Sequence, residues 1–238
     1  MRPMRSFGGR GGGFGFPSIQ SMAAKLTLGL VAGSVLFLAT KSGGGPLLLL
    51  VPDAVQRFFL WQPLTYAFIE ADALGIIFGA LIIYSIGGFL ESTWGAKRLL
   101  LIAVGGTALA GVLTVLVDLV TPVAPAFTGG TVMASILWVT YGLVIGRGQA
   151  NFWGIPLSGN MLALIGAGFV LLRTLQVGWA AQLPDLFGLV IAFGYVRGGS
   201  PRRLWLHLQH WRLQRQLRNR SRNLRVVSSN RSDDQYLN

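Results

Sequence analysis

The sequence predicts an all-α polytopic membrane protein with six transmembrane helices, a long interfacial first loop and a basic C-terminal amphipathic helix. Three observations carry that prediction. The chain has 238 residues, of which 52% are hydrophobic and only 12% charged, about half the charged share of an ordinary soluble domain; mean hydropathy is +0.57. The apolar residues gather into six segments separated by polar or Pro/Gly punctuation. The lysines and arginines crowd into the ends and alternate gaps.

The six segments are roughly Ala23–Thr40, Ala73–Leu90, Leu99–Val117, Gly130–Ile145, Met161–Leu175 and Leu183–Val196. Several lie near the short end of what crosses an apolar layer ~30 Å thick, a length that favours local bilayer thinning. Small residues pace them: Gly75 and Gly79 in the second, Gly105, Gly106 and Gly111 in the third, Gly166 and Gly168 in the fifth. Such spacing lets helix backbones approach closely where lipid supplies no hydrophobic drive for association.

The connection from the first to the second segment, "KSGGGPLLLLVPDAVQRFFLWQPLTYAFIEAD", is too long for a turn and too broken by Pro52 and Pro63 to span. Its aromatics (Phe58, Phe59, Trp61, Tyr66, Phe68) suit an element half sunk at headgroup depth. The plainer reading is an amphipathic connector that only packs.

Orientation follows from charge. Arg2, Arg5, Arg10 and Lys25 lie at the N-terminus, Lys97 and Arg98 between segments two and three, and Arg147 between four and five. Ten of the 20 Lys+Arg, all arginine, fall between Arg197 and Arg231. The other gaps set Lys41 and Arg57 against Asp53, Glu70 and Asp72, or hold no Lys/Arg at all ("DLVTPVAPAFT"). Six spans with both termini cytoplasmic satisfy the positive-inside rule, and a bacterial inner membrane is the expected location. The expected organisation is a flexible Arg/Gly-rich cytoplasmic tail over 1–21, a membrane domain over 22–198 and a basic cytoplasmic tail over 199–238. The opening "MRPMRSFGGRGGGFGFPS" has no apolar h-region or cleavage motif and reads as a cytoplasmic extension, not a signal peptide. There is no cysteine, which excludes disulfides, thiol catalysis and thiolate metal sites; no cofactor and no metal are expected.

The order of parts then narrows the field. "PLTYAF" enters the second segment, and "GGFLE" followed by "WGAKR" closes it. From about Arg57 to Gly198 the chain resembles the rhomboid superfamily of intramembrane serine proteases, whose Gly-Gly-x-x-Glu, x-x-x-Gly-x-x-[Lys/Arg] pattern is matched by Gly87, Gly88, Glu91, Gly95 and Arg98. The resemblance implies a six-helix rhomboid-like bundle. It also implies, in an active member, a Gly-x-Ser-Gly nucleophile starting the fourth helix, a His base in the sixth, and a His and an Asn around the oxyanion on the second. A serine hydroxyl is a weak nucleophile without an adjacent base, and the oxyanion needs donors aimed at it.

Each position departs from that pattern. The second-helix pair falls on Gly75 and Gly79, which carry no donor. The nucleophile falls on Thr131 or, shifted, on Thr128, and Ser135 one turn further is the outside candidate. The family's Ala-His-x-x-Gly becomes "PDLFG", which puts Asp185 where the base would stand. Both histidines, His207 and His210, lie in the tail; a metal there lacks a third ligand. A two-carboxylate mechanism needs a second intramembrane acid, and Asp118, Glu91 and Asp72 all sit at helix ends. The departures resemble the inactive, derlin-like branch. The function implied is a pseudoprotease that binds transmembrane clients without cleaving them; the alternative is an active serine-type endopeptidase with a displaced nucleophile. A small channel or transporter is disfavoured, because Asp185 and Arg173 alone are candidates for buried charge.

An intramembrane carboxylate is by default a functional-site hypothesis. Asp185 also has bland readings: a first-turn cap favoured by the helix macrodipole, an ion pair with Arg173, or an acceptor for Thr128 or Thr131. In the tail, Leu204, Leu208 and Trp211 recur at helical spacing among basic residues, and Arg202, Trp205, Trp211, Arg212 and Arg215 are the expected membrane-surface contacts. Membrane lipids and transmembrane proteins are thus the expected partners; an Arg-rich nucleic-acid contact is the disfavoured rival.

Overall fold

The computed structural model describes residues 20–40, 43–121, 123–124, 126–152 and 155–198. The chain divides into Met1–Arg197 and Gly198–Asn238, and of the second unit only Gly198 is described. The tail expectations, Arg202, Trp205, Trp211, Arg212 and Arg215 included, therefore lie outside the described residues.

Every predicted apolar segment is helical. In chain order the helices are α1 (Met22–Ala39), the short α2 (Pro52–Gln56) and α3 (Gln62–Thr65), α4 (Ala73–Trp94), α5 (Ala96–Asp118), α6 (Gly130–Ile145), α7 (Gly159–Val177) and α8 (Leu183–Arg197). Four of them, α1, α4, α5 and α7, are long and apolar enough to cross a membrane, and α6 is a shorter apolar helix. A π-helical stretch, Leu101–Gly105, interrupts α5. Between α6 and α7 lies a two-stranded antiparallel hairpin, β1 (Gln149–Phe152) and β2 (Ile155–Ser158), that the apolar pattern does not predict.

Helix α6 is the centre of the fold. It packs against α4, α7 and α8, while α1 packs on α4 and α5 on α8. Val132, Met133, Ile136 and Leu137 on α6 are fully buried, as expected of a helix apolar all round. The outer helices instead expose large apolar side chains such as Leu28, Leu74, Leu109, Leu164 and Val190, the pattern of surfaces that face lipid.

Close backbone approach between α6 and α7 rests on two glycines. A Cβ on Gly142 would lie 2.6 Å from the Gly159 carbonyl oxygen, so no side chain fits there. At the far end of α4, Gly95 takes φ +84°, a left-handed value that favours glycine, and turns the chain directly into α5.

The long first loop forms a 3₁₀ turn at Gly45–Leu48, then α2, α3 and a second 3₁₀ turn at Tyr66–Phe68. Phe58, Leu60 and Trp61 are exposed, as an interfacial element requires, but Tyr66 is fully buried. Its ring is wedged between Gly111 and Gly129, where an added Cβ would lie 2.8 Å from it on either side, and its hydroxyl donates to the Thr107 carbonyl. Burial, and after it the Asp185 charge, pushes the Tyr66 phenol well above its ordinary range, so it remains a neutral donor. The reading of Tyr66 as an interfacial aromatic is corrected: aromatic content marks an interface but does not say which ring turns inward.

Candidate functional site

A cavity of about 500 Å³ opens between α4 and α7, floored by α6 and closed at one end by α8. Its walls are mostly apolar, with Phe78, Leu81 and Ile82 from α4 facing Phe169 and Val170 from α7. Trp138 lies across the floor. Its indole sits against Gly166, where a Cβ would come within 2.8 Å, and donates to the Leu162 carbonyl at 3.0 Å. Polar groups from several helices meet in the same space: Thr131 and Ser135 of α6, Arg173 of α7, Gln182 before α8, and Asp185 in its first turn.

Of the degenerate catalytic positions named from the sequence, all but Thr128 come together here. Gly75, Gly79, Thr131, Ser135 and Asp185 all line this cavity. Asp185 is 7% exposed, and Ser135 Oγ lies 3.4 Å from its Oδ1. The shorter bond of that hydroxyl, 2.9 Å, goes to the Val132 carbonyl, so Asp185 holds it weakly. Arg173 is exposed on α7 and acts on Asp185 through its charge. Neither Thr128 nor Thr131 hydrogen-bonds Asp185, contrary to one sequence expectation; the Thr128 hydroxyl and the Thr131 amide go instead to a different carboxylate.

That carboxylate is Glu70, the residue the sequence reading missed. It is 3% exposed, three residues before α4 begins. The N-terminus of α6 has no capping side chain of its own at Gly129. Glu70 Oε2 accepts from Thr131 N–H at 2.9 Å, and Oε1 accepts from Ala71 N–H at 3.1 Å and more distantly from the Thr128 hydroxyl at 3.5 Å. The Glu70 amide donates to Ser34 Oγ at 2.9 Å, tying α1 to the same knot. The Ile69 carbonyl accepts from Gly129 and Gly130 N–H, both at 3.1 Å. The donors that a helix start leaves without partners are therefore met by the segment just before α4. Glu70 also fills the space above two glycines: a Cβ on Gly75 would lie 2.8 Å from Glu70 Cγ, and one on Gly130 would lie 3.0 Å from Glu70 Cβ.

The sequence signal for Glu70 was present in "AFIEAD", an acid directly after an apolar run. Counted with Asp53 and Asp72 in the charge balance of the first loop, it carries no local mark of burial. Among the described residues there is thus a second buried carboxylate besides Asp185, and it caps α6.

The Gly-Gly-x-x-Glu stretch has a separate structural role. A Cβ on Gly87 would lie 3.3 Å from Ala23 Cβ, so α1 crosses α4 closely there. Glu91 accepts from Met22 N–H and Ala23 N–H, each at 2.9 Å, while Ser21 Oγ accepts from Ala24 N–H at 3.1 Å. Gly88 is half-buried and Arg98 exposed. Among the described residues no three His, Cys, Asp or Glu side chains converge to hold a metal ion.

The family model described as "Eukaryotic integral membrane protein (DUF1751)" matches residues 24–197. No curated protein matches the chain. The match agrees with a multi-pass membrane location and disagrees with the bacterial inner membrane expected above. Apolar length and the Lys/Arg bias report a bilayer and its cytoplasmic side, and these features are shared by bacterial and eukaryotic membranes.

Proposed function

This chain belongs to that family of eukaryotic integral membrane proteins, and from this premise we propose that it is a rhomboid-like protein that does not cleave. In this reading it crosses the bilayer six times with both termini cytoplasmic. It holds transmembrane segments of partner proteins at the cavity between α4 and α7. Helices α6 and α8 have 16 and 15 residues and rise about 24 and 22 Å, which fits a locally thinned bilayer.

The observation that carries the reading is the Glu70 carboxylate on the Thr131 amide. In a rhomboid-like protease the start of this helix is where an oxyanion forms, flanked by side-chain donors at the positions of Gly75 and Gly79. Here the backbone donor already has an anion, held where the helix dipole favours one, and that anion's own side chain occupies the space over Gly75. A developing oxyanion would have to displace a carboxylate, and then react beside its charge. Preorganised donors aimed at the oxyanion are usually the largest catalytic contribution; at this site they are absorbed.

The contact between Ser135 and Asp185 favours the alternative, a displaced nucleophile with a carboxylate base. The Ser135 proton is directed to the Val132 carbonyl rather than to Asp185, and Gly75 and Gly79 supply no side-chain donor for an oxyanion. The test is the purified protein, reconstituted with a transmembrane rhomboid substrate and treated with a serine-directed fluorophosphonate. No cleavage and no labelling are expected, together with photocrosslinking of membrane proteins from probes at Phe78 and Phe169. Cleavage or labelling abolished by Ser135→Ala sinks the proposal.

A further inference from the structure

The polar end of the cavity holds more hydrogen-bonding capacity than the fold uses. Gln182 is 4% exposed and faces the cavity, yet among the described residues its side-chain amide has no hydrogen-bond partner. Among the described residues Asp185 receives one hydrogen bond, at 3.4 Å. Arg173, on the cavity wall, likewise makes no hydrogen bond among the described residues. Gln182 and Asp185 are thus nearly buried polar side chains with hydrogen-bonding capacity to spare, and the exposed Arg173 guanidinium borders the same space; together they point to a ligand with a polar, charged head. The remainder of the lining is apolar, from Phe78 through Ile86 on α4 and at Phe169 and Val170 on α7. A ligand for this space therefore has a polar head at the helix ends and a long apolar body between α4 and α7.

We propose that the cavity is a site for a zwitterionic phospholipid with a primary-ammonium head. The ammonium donates to Asp185, the phosphate accepts from Gln182 and Arg173, and one acyl chain lies between α4 and α7. A carboxylate and a guanidinium at the same end match a head bearing both charges. A purely anionic or purely cationic head would meet one of them with like charge. A primary ammonium has three N–H donors, whereas a quaternary one has none to give Asp185. The volume of about 500 Å³ is in the range of small-ligand sites and accommodates one long chain; the second chain remains in the bilayer beside the exposed Phe169 and Leu172. The proposal uses the membrane placement given above, but not the absence of proteolysis or the identity of any protein partner.

The test places the purified full chain in phosphatidylcholine nanodiscs with a trace of photoactivatable, alkyne-tagged phosphatidylethanolamine, and maps the adducts by mass spectrometry. Adducts are expected to concentrate within 78–86 and 166–173. The matched phosphatidylcholine probe is expected to label these segments about ten-fold less, the factor carried by one charge-assisted hydrogen bond. Arg173→Gln, at an exposed position, and Asp185→Asn are each expected to lower phosphatidylethanolamine labelling to the phosphatidylcholine level. Val190→Ala, on an exposed part of α8 outside the lining, should leave it unchanged. Equal labelling by the two heads, or adducts spread evenly over the exposed apolar faces, overturns the proposal in favour of annular lipid only. If Asp185→Asn does not fold, the head comparison and Arg173→Gln decide alone. Since the readout is lipid adduct, its failure is distinct from failure of the non-cleaving reading.

Discussion

At either end of α4 a glutamate receives the N-terminus of another helix, and the two differ in what they do to the space around them. Glu91, in the last turn of α4, accepts from the first two amides of α1 and is half-buried. Glu70, just before α4, accepts from Thr131 of α6 and is almost fully buried. Both use the attraction between an anion and a helix start. Glu91 shares its helix start with Ser21, which caps Ala24; Glu70 serves a helix whose N-cap is a glycine with no side chain to offer. Beside Glu91, Gly87 admits a neighbouring helix; beside Glu70, Gly75 admits the glutamate itself. The same device thus holds two helices together at one end of α4 and fills the space beside the start of α6 at the other.

Three substitutions test whether the two glutamates differ in this way. The largest effect is expected for Glu70→Ala, which leaves the Thr131 amide and its surroundings unsatisfied. Destabilisation of about 3 kcal/mol is expected in reversible unfolding in mixed micelles, with Glu70→Gln recovering most of it because the amide oxygen still accepts. A loss no larger than that of Glu91→Ala would make the two caps equivalent. Next comes Gly75→Ala, expected to cost about 2 kcal/mol by overpacking against Glu70. In the Glu70→Ala background that cost should fall below about 0.5 kcal/mol, the coupling of a double-mutant cycle between touching residues. Additive costs would show that Gly75 does not serve Glu70. The smallest effect belongs to Glu91→Ala, expected to cost about 1 kcal/mol, because Ser21 still caps the first turn and water reaches the freed amides. Proteolytic sensitivity confined to α1 would accompany it.

The positions of the helices are written locally in the sequence. Apolar runs bounded by Pro, Gly and charge located all six main helices to within a few residues, because helix formation in an apolar surround depends on local composition and length. The motif around Gly87 and Glu91 was legible, and so was the oddity of Asp185 in an apolar helix. Tertiary structure alone decided which polar residues face one another. Thr131, Ser135, Gln182 and Asp185 line one cavity only because α6 and α8 pack at a chosen register, and Tyr66 is buried only because Gly111 and Gly129 make room for its ring. Glu70 shows the limit most plainly. A carboxylate in a polar loop and a carboxylate capping a buried helix look identical in sequence. The Thr131 amide that distinguishes them lies 61 residues away, and only folding brings the two together.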